Sequence, residues 1–133
     1  MQLIRSGAHA HLVTINPDGS PQASIVWSDV EEGEICIPSL KEWQKIKNVR
    51  RDPRVLVTYE SEERHPRSGL RCYLVVKGRA RVEDGGSGEL MLRLAPRFLE
   101  PGAPLPGNGD SPAGFVMRIS PEKVLGNGPW VWR

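Results

Sequence analysis

Ala10-His11-Leu12-Val13-Thr14-Ile15-Asn16-Pro17-Asp18-Gly19-Ser20-Pro21-Gln22-Ala23-Ser24-Ile25-Val26-Trp27 is the stretch whose reading decides the fold class. Its first six residues are rich in β-formers, and Asn16 to Pro21 is a dense turn signal in which Pro fixes φ and Gly supplies φ > 0. The chain must reverse there. Gln22 to Trp27 then alternates, with Ala23, Ile25 and Trp27 on one face and Gln22, Ser24 and Val26 on the other. Two such runs around a Pro-Asp-Gly turn predict a β-hairpin.

Outward from the hairpin the pattern stays β-rich. Glu34 to Pro38 reads as a third strand, with Pro38 at its end or edge because it has no N–H to donate. Arg54 to Tyr59 reads as a strand, Glu60 to Gly69 as a polar loop, and Arg71 to Val82 as a long strand in which Gly78 marks a bulge or barrel corner. Ser87 to Leu99 reads as a helix with Leu90, Leu94 and Phe98 on one face, and Pro101 to Pro112 as a loop. Phe115 to Ser120 and Glu122 to Leu125 add further extended pieces. Many strands, two helices and no βαβ alternation predict a mainly β, antiparallel α+β barrel with peripheral helices.

The 133 residues fit one domain, taken as 1–133. Apolar runs are only a few residues long, far short of the roughly 20 of a membrane-crossing helix, and Met1 to Gly7 lacks the apolar stretch of a signal peptide. Two cysteines, Cys36 and Cys72, are too few for a disulfide framework, so a cytoplasmic location is expected. The formal net charge is +2, yet Lys41, Lys45, Lys47, Arg50, Arg51 and Arg54 crowd one segment against only Glu42 and Asp52. A compact basic segment is a candidate anion site.

That segment also carries the clearest helix signal. Ser39-Leu40-Lys41-Glu42 has the form of a capping box, Trp43, Ile46 and Val49 form an apolar stripe, and Asp52-Pro53 ends the helix. Lys41, Lys45 and Asn48 fall together on the opposite stripe, where a capped N-terminus would favour a phosphate. A solvated basic face fits the same pattern. A nucleic-acid surface does not, since one helix is thin for that role and Trp43 falls on the stripe that should face the core. His9 and His11 lack a third ligand, so no metal is expected, and no Gly-x-Ser-x-Gly, Gly-x-Gly-x-x-Gly or P-loop pattern is present. An enzyme whose cofactor carries the hydride needs no such motif, because the protein only binds, orients and excludes water.

The order of these pieces resembles the pyridoxamine-phosphate-oxidase-like split barrels. Ala10 to Gln22 followed by Val26-Trp27 resembles their opening, and Lys45-Ile46-Lys47-Asn48-Val49-Arg50-Arg51-Asp52-Pro53-Arg54 resembles their Lys-x-Arg-Asn-Leu-x-x-Asp-Pro-Arg segment. Tyr73 to Ala80 is similar to their strand ending in Gly-x-Ala, and Ile119 to Val124 to their closing strand. Within that superfamily the chain is most similar to small actinobacterial deazaflavin (coenzyme F420)-dependent reductases.

This resemblance implies a six-stranded split β-barrel and a homodimer with cofactor sites at the interface. It implies a phosphate near Ser39, Lys41, Lys45 and Asn48, and a ring system along Ser24, Ile25, Val26 and Trp27 and the Ile37-Pro38-Ser39 backbone. Arg71 and Tyr73, and the C-terminal Trp130, are expected from the other subunit. The implied reaction is hydride transfer from reduced F420 to a small conjugated substrate, with no catalytic side chain assigned. FMN is the alternative cofactor, and a non-enzymatic flavin-, deazaflavin- or haem-binding protein is the alternative role. Three departures stand out: Trp43 where related chains often have Arg, Lys47 for Arg, and an N-terminal helix reduced to Gln2-Leu3-Ile4-Arg5.

Overall fold

A computed structural model describes residues 2–104 and 114–132. The elements run α1 (Gln2–Arg5), β1 (Ala10–Ile15), β2 (Pro21–Val26), β3 (Asp29–Glu31), β4 (Glu34–Ser39), α2 (Gln44–Arg51), β5 (Arg54–Arg64), β6 (Arg71–Asp84), α3 (Ser87–Phe98) and β7 (Phe115–Asn127). The strands form one antiparallel sheet of order β2-β1-β5-β6-β7-β4-β3, left open between β2 and β3. The expected split barrel is therefore present, with the three-residue β3 as a seventh strand. No helix among the described residues is long and apolar enough to cross a membrane.

Strand alternation builds the core. Ala10, Leu12 and Thr14 of β1 point inward, as do Cys72, Leu74, Val76 and Ala80 of β6. Of these, Ala10, Leu12, Leu74, Val76 and Ala80 meet Ile35 and Ile37 of β4, Met117 and Ile119 of β7, and Ile46 and Val49 of α2 in the main apolar cluster. A second cluster joins Cys36 and Val116 to Leu90 and Leu94 of α3, with Trp27 and Phe98 stacked beside it at 5.2 Å between ring centroids. Both cysteines are buried and free. Burial pushes the Cys36 thiol up to about 11, so it stays a protonated core group.

The predicted turn forms as its residues demand. Asn16 N–H donates to Ser20 O, Gly19 takes φ +87°, and Asp18 Oδ1 accepts from the Ser20 N–H and hydroxyl. Gly78 marks a shift of register between β6 and β7, and a Cβ there would stand 2.4 Å from Ser120 O. Only glycine allows that approach.

Four expectations are corrected. Ser39 does not open a helix: it ends β4, paired with Phe115, and its hydroxyl donates to Lys41 O at 2.7 Å instead of capping α2. The helix begins at Gln44, with Trp43 at the cap position and no side-chain cap, so Trp43 is 47% exposed rather than core. The polar stretch from Glu60 continues β5 to Arg64, because Glu60 still pairs with Tyr73 and, past a bulge, Arg64 pairs with Arg71. Polar side chains suit a strand whose other face is solvated. Phe115 to Asn127 is one bulged strand, not two pieces. The predicted loop Pro101 to Pro112 falls largely outside the described residues.

Candidate functional site

Asn48 organises the basic segment. It is fully buried, and its amide nitrogen donates to Thr14 Oγ1 at 3.0 Å and Asn16 Oδ1 at 2.9 Å. Its oxygen accepts from Gln44 Nε2 at 2.8 Å and Arg51 Nη1 at 3.3 Å. An amide has two donors and two acceptor sites, so Asn48 is saturated. Its work is to lock α2 against the end of β1 and the hairpin turn. Thr14, whose hydroxyl also donates to Gln22 Oε1 at 3.1 Å, and Asn16 belong to the same network. Sequence reasoning missed these partners, because nothing in the local pattern shows which groups a distant helix will meet.

Lys45, one turn earlier on α2, is left differently. It is 8% exposed, and its ammonium sits 5.1 Å from the centroid of the Trp43 ring. Among the described residues no carboxylate pairs with it, and burial lowers its pKa. The other charges of the segment are largely committed. Arg50 pairs with Glu42 and Asp84, Arg54 pairs with Asp52, and Arg51 donates to Ile15 O. Lys41 and Lys47 are exposed and, among the described residues, unpaired. Lys41 lies in the turn before α2 rather than on a helical stripe with Lys45 and Asn48.

The other predicted residues divide. Ser24 faces inward beside Leu12, and its hydroxyl is buried with no hydrogen-bond partner. Val26 and Ile37 are core, and Ser39 is 1% exposed, so they can offer a ligand little beyond backbone. Pro38 lies beyond the last β3 pairing, Asp29 with Cys36, as a residue lacking N–H requires. Trp27 is occupied by its stack on Phe98, whose ring also stacks on His9. Ile25 points outward and lines a groove of about 310 Å³ with His9, His11, Glu60 and Arg71 of the same chain. Tyr73 is 46% exposed on the same outward face. Trp130 packs on the core at the opposite end of β1 from Thr14, beside α1 and the end of β5. Among the described residues no group of three or more His, Cys, Asp or Glu could hold a metal.

These positions leave a path rather than a closed pocket. β2 is an edge strand, and an edge presents unpaired backbone N–H and C=O groups. From Gln22, at the Asn48 end, to Val26 is four residues, roughly 13 Å at about 3.3 Å per residue. Lys45, which has no carboxylate partner among the described residues, thus lies on the helix that Asn48 ties to the Thr14–Gln22 end of the hairpin, and Ser24 on the same β2 has an inward hydroxyl that also lacks a partner.

An open antiparallel barrel with α2 plugged into one end is the split-barrel class. The sequence profile of the pyridoxamine 5'-phosphate oxidase family matches residues 2–127, and the chain belongs to that family. Among solved structures it is similar to an F420 reductase, with a TM-score of 0.71, 22% identity, and coverage of 93% of this chain and 94% of that one. It is also similar to a conserved hypothetical protein of Mycobacterium tuberculosis (TM-score 0.69, 24% identity, 95% and 80% covered). A FAD-binding protein of Mesorhizobium loti matches at TM-score 0.65 and 21% identity over 94% and 88% of the two chains. At these identities the likeness establishes the fold. A comparison with curated protein sequences gives no match.

Proposed function

We propose that this protein is an oxidoreductase that uses coenzyme F420, reducing a small conjugated organic substrate in the cleft of a homodimer. The observation that carries the reading is Lys45, a buried ammonium without an anionic partner among the described residues. Burying an unpaired charge is unfavourable, so such a group marks a place built to receive an anion. A phosphorylated, ring-bearing cofactor fits the residues present: Lys45 for the phosphate, Ser24 Oγ and the free edge of β2 for polar atoms further along.

When bound, the reduced deazaflavin supplies the hydride. The chain's own part is to hold and orient. Asn48 fixes α2 and hence Lys45 against β1, and Trp43 shields the ammonium from water on one side. Ser24 and alternate backbone groups of β2 set the orientation along the edge, while Arg71 and Ile25 border the outward groove. No side chain is assigned a proton-transfer role.

F420 is favoured over FMN by the reductase relative of the same fold and by Lys41 and Lys47, two exposed cations that can meet the anionic tail beyond the phosphate. The test is to titrate F420 and FMN into apo-protein at low and high salt, then offer quinone-like and tetrapyrrole acceptors to the reduced complex. F420 should bind more tightly at low salt, by up to about tenfold, with salt narrowing the gap. Tighter FMN binding at low salt, with acceptors oxidising reduced FMN but not reduced F420, selects the FMN alternative. Binding without any turnover of either cofactor selects a carrier role.

A further inference from the structure

Lys45 offers an incoming anion a single positive charge. Helix side chains lean toward the N-terminus, and the Lys45 ammonium accordingly lies over the Trp43 ring at the start of α2, 5.1 Å from its centroid. The residue is buried, and among the described residues no hydrogen bond or ion pair engages that ammonium. Burial lowers its pKa, and no neighbouring charge adds to that shift. No second cation is free beside it. Arg50 is engaged by Glu42 and Asp84, Arg54 by Asp52, and Arg51 by Ile15 O and Asn48 Oδ1. Asn48 has both its donors and its acceptor oxygen in use. Lys41 and Lys47 are exposed and stay hydrated. What stands against Lys45 is an indole face, which is electron-rich and disfavours further negative charge.

We infer that this site selects a singly charged phosphodiester over a doubly charged phosphomonoester, and that Trp43 is the residue that sets the limit, by standing where a second cation would have to be. The inference rests on the reading of Lys45 as the cofactor's phosphate site and adds which kind of phosphate it takes. The cost of desolvating an ion grows with the square of its charge, about fourfold from one charge to two, whereas its attraction to a single cation only about doubles. A phosphodiester carries one charge, and Lys45 alone neutralises it. A phosphomonoester carries close to two charges above a second pKa of about 6, and would leave roughly one negative charge enclosed without a partner. A phosphate esterified on both sides, within a chain that continues beyond it, meets the condition. A terminal phosphate does not.

The experiment titrates the protein with riboflavin, riboflavin 4′,5′-cyclic phosphate and FMN by calorimetry. The three share a ring and a ribityl chain and carry no phosphate, a singly charged diester and a monoester. At about pH 7.5 the cyclic diester should bind roughly fivefold more tightly than FMN, and at about pH 5, where FMN is singly charged, that ratio should fall by about threefold. The diester keeps its charge over this range, so titration of the protein itself acts on both ligands and drops out of the ratio. Trp43→Arg, which sets a second cation beside Lys45, should reverse the order at the higher pH. Trp43→Leu, which removes the ring without adding charge, should keep it. FMN binding as tightly as the diester at the higher pH, a ratio that does not fall with pH, or an order that Trp43→Arg leaves unmoved or Trp43→Leu also reverses overturns this inference, while both phosphates still bind more tightly than riboflavin. Phosphates that bind no better than riboflavin overturn the Lys45 reading itself. If a variant does not melt cooperatively, the pH series on the unaltered chain decides.

Discussion

Lys45 and Ser24 are two of the groups that the fold encloses and, among the described residues, leaves without a hydrogen-bond partner, as it does the Trp130 indole nitrogen. For Lys45 the sign of the effect on stability is opposite to that on binding. Its ammonium is desolvated, which lowers its pKa, and Trp43 compensates only in part. Lys45→Met keeps the long apolar stem and removes the buried charge. The apo-protein should therefore melt about 3–5 °C higher, corresponding to roughly 1 kcal/mol, while F420 or FMN binds about 10- to 150-fold more weakly for want of one charge-assisted hydrogen bond. Calorimetry of the natural chain and of Lys45→Met measures the two effects together, and unchanged cofactor affinity would leave Lys45 a buried lysine with no part in binding. The basic character of this position was legible in the sequence. Which of its neighbours were free was not, because Asn48, Arg50 and Arg51 are satisfied by Thr14, Asn16, Ile15, Glu42 and Asp84, and only folding brings those groups within reach. Trp43 was misplaced for a related reason: the stripe it belongs to exists only if the helix starts at Ser39, and it starts at Gln44.

At the scale of elements, α3 is held to the sheet by charge as well as by Leu90 and Leu94. Arg97 donates to Asp29 Oδ1 at 2.9 Å, Arg93 donates to Asp29 Oδ2 at 3.2 Å and pairs with Glu31, and Arg118 joins Glu31 to Glu83. Arg81 and the Ser120 hydroxyl serve Glu34 on the same side of β4. Burial pushes the Asp29 and Glu31 carboxyls up, but hydrogen bonds from Arg97 to the first and Arg118 to the second outweigh it, and both end below their ordinary values of 3.8 and 4.5. Hydrogen bonds from Arg81 and Ser120 bring Glu34 down to about 2. With folded values depressed, the stability these groups contribute is fully present above the ordinary carboxylate range and is lost as the pH falls through the folded values. Thermal unfolding followed from pH 7 downward should show a flat Tm that begins to drop near 4.5 and keeps dropping toward 2. Asp29→Asn should lower stability by about 2 kcal/mol at neutral pH and flatten part of that acid limb. A variant with unchanged Tm would mean that the arginines find other partners. The helix itself was readable from the spacing of Leu90, Leu94 and Phe98, whereas its ionic tether, which reaches back more than 60 residues, was not.

At the scale of the molecule, strand order and register turn single outward residues into a row. Ile25 pairs with His11, His11 with Thr58, Thr58 with Val75 and Val75 with Leu125, so one line crosses β2, β1, β5, β6 and β7 on the face away from the core. Val13 and Leu56 pair in the neighbouring row, and Tyr73 stands in the next on the other side. The central row has no Lys, Arg, Asp or Glu across five strands, while the flanking rows run on to Lys77 and Lys123 on one side and to Glu60 on the other. The alternation of Gln22 to Trp27 announced two faces, but not that the Ile25 face would lie outward in register with four other strands. Ile25 at 65% and Tyr73 at 46% exposure are large apolar groups in water, and a self-complementary contact between two copies would cover the stripe on both. Such a dimer would also set the Arg71 and Ile25 groove of one copy against its partner, which is where the proposed cofactor cleft would be completed. Val75→Glu places a charge in the middle of the stripe while leaving the inward Leu74 and Val76 untouched. Sedimentation at micromolar concentration should give a dimer for the natural chain and a monomer for Val75→Glu, with a cooperative melt retained in both. The monomer should still bind inorganic phosphate at Lys45 but lose most of its affinity for the intact cofactor. A natural chain that sediments as a monomer would remove the shared cleft, and the reductase reading would then have to stand on one subunit's edge strand alone.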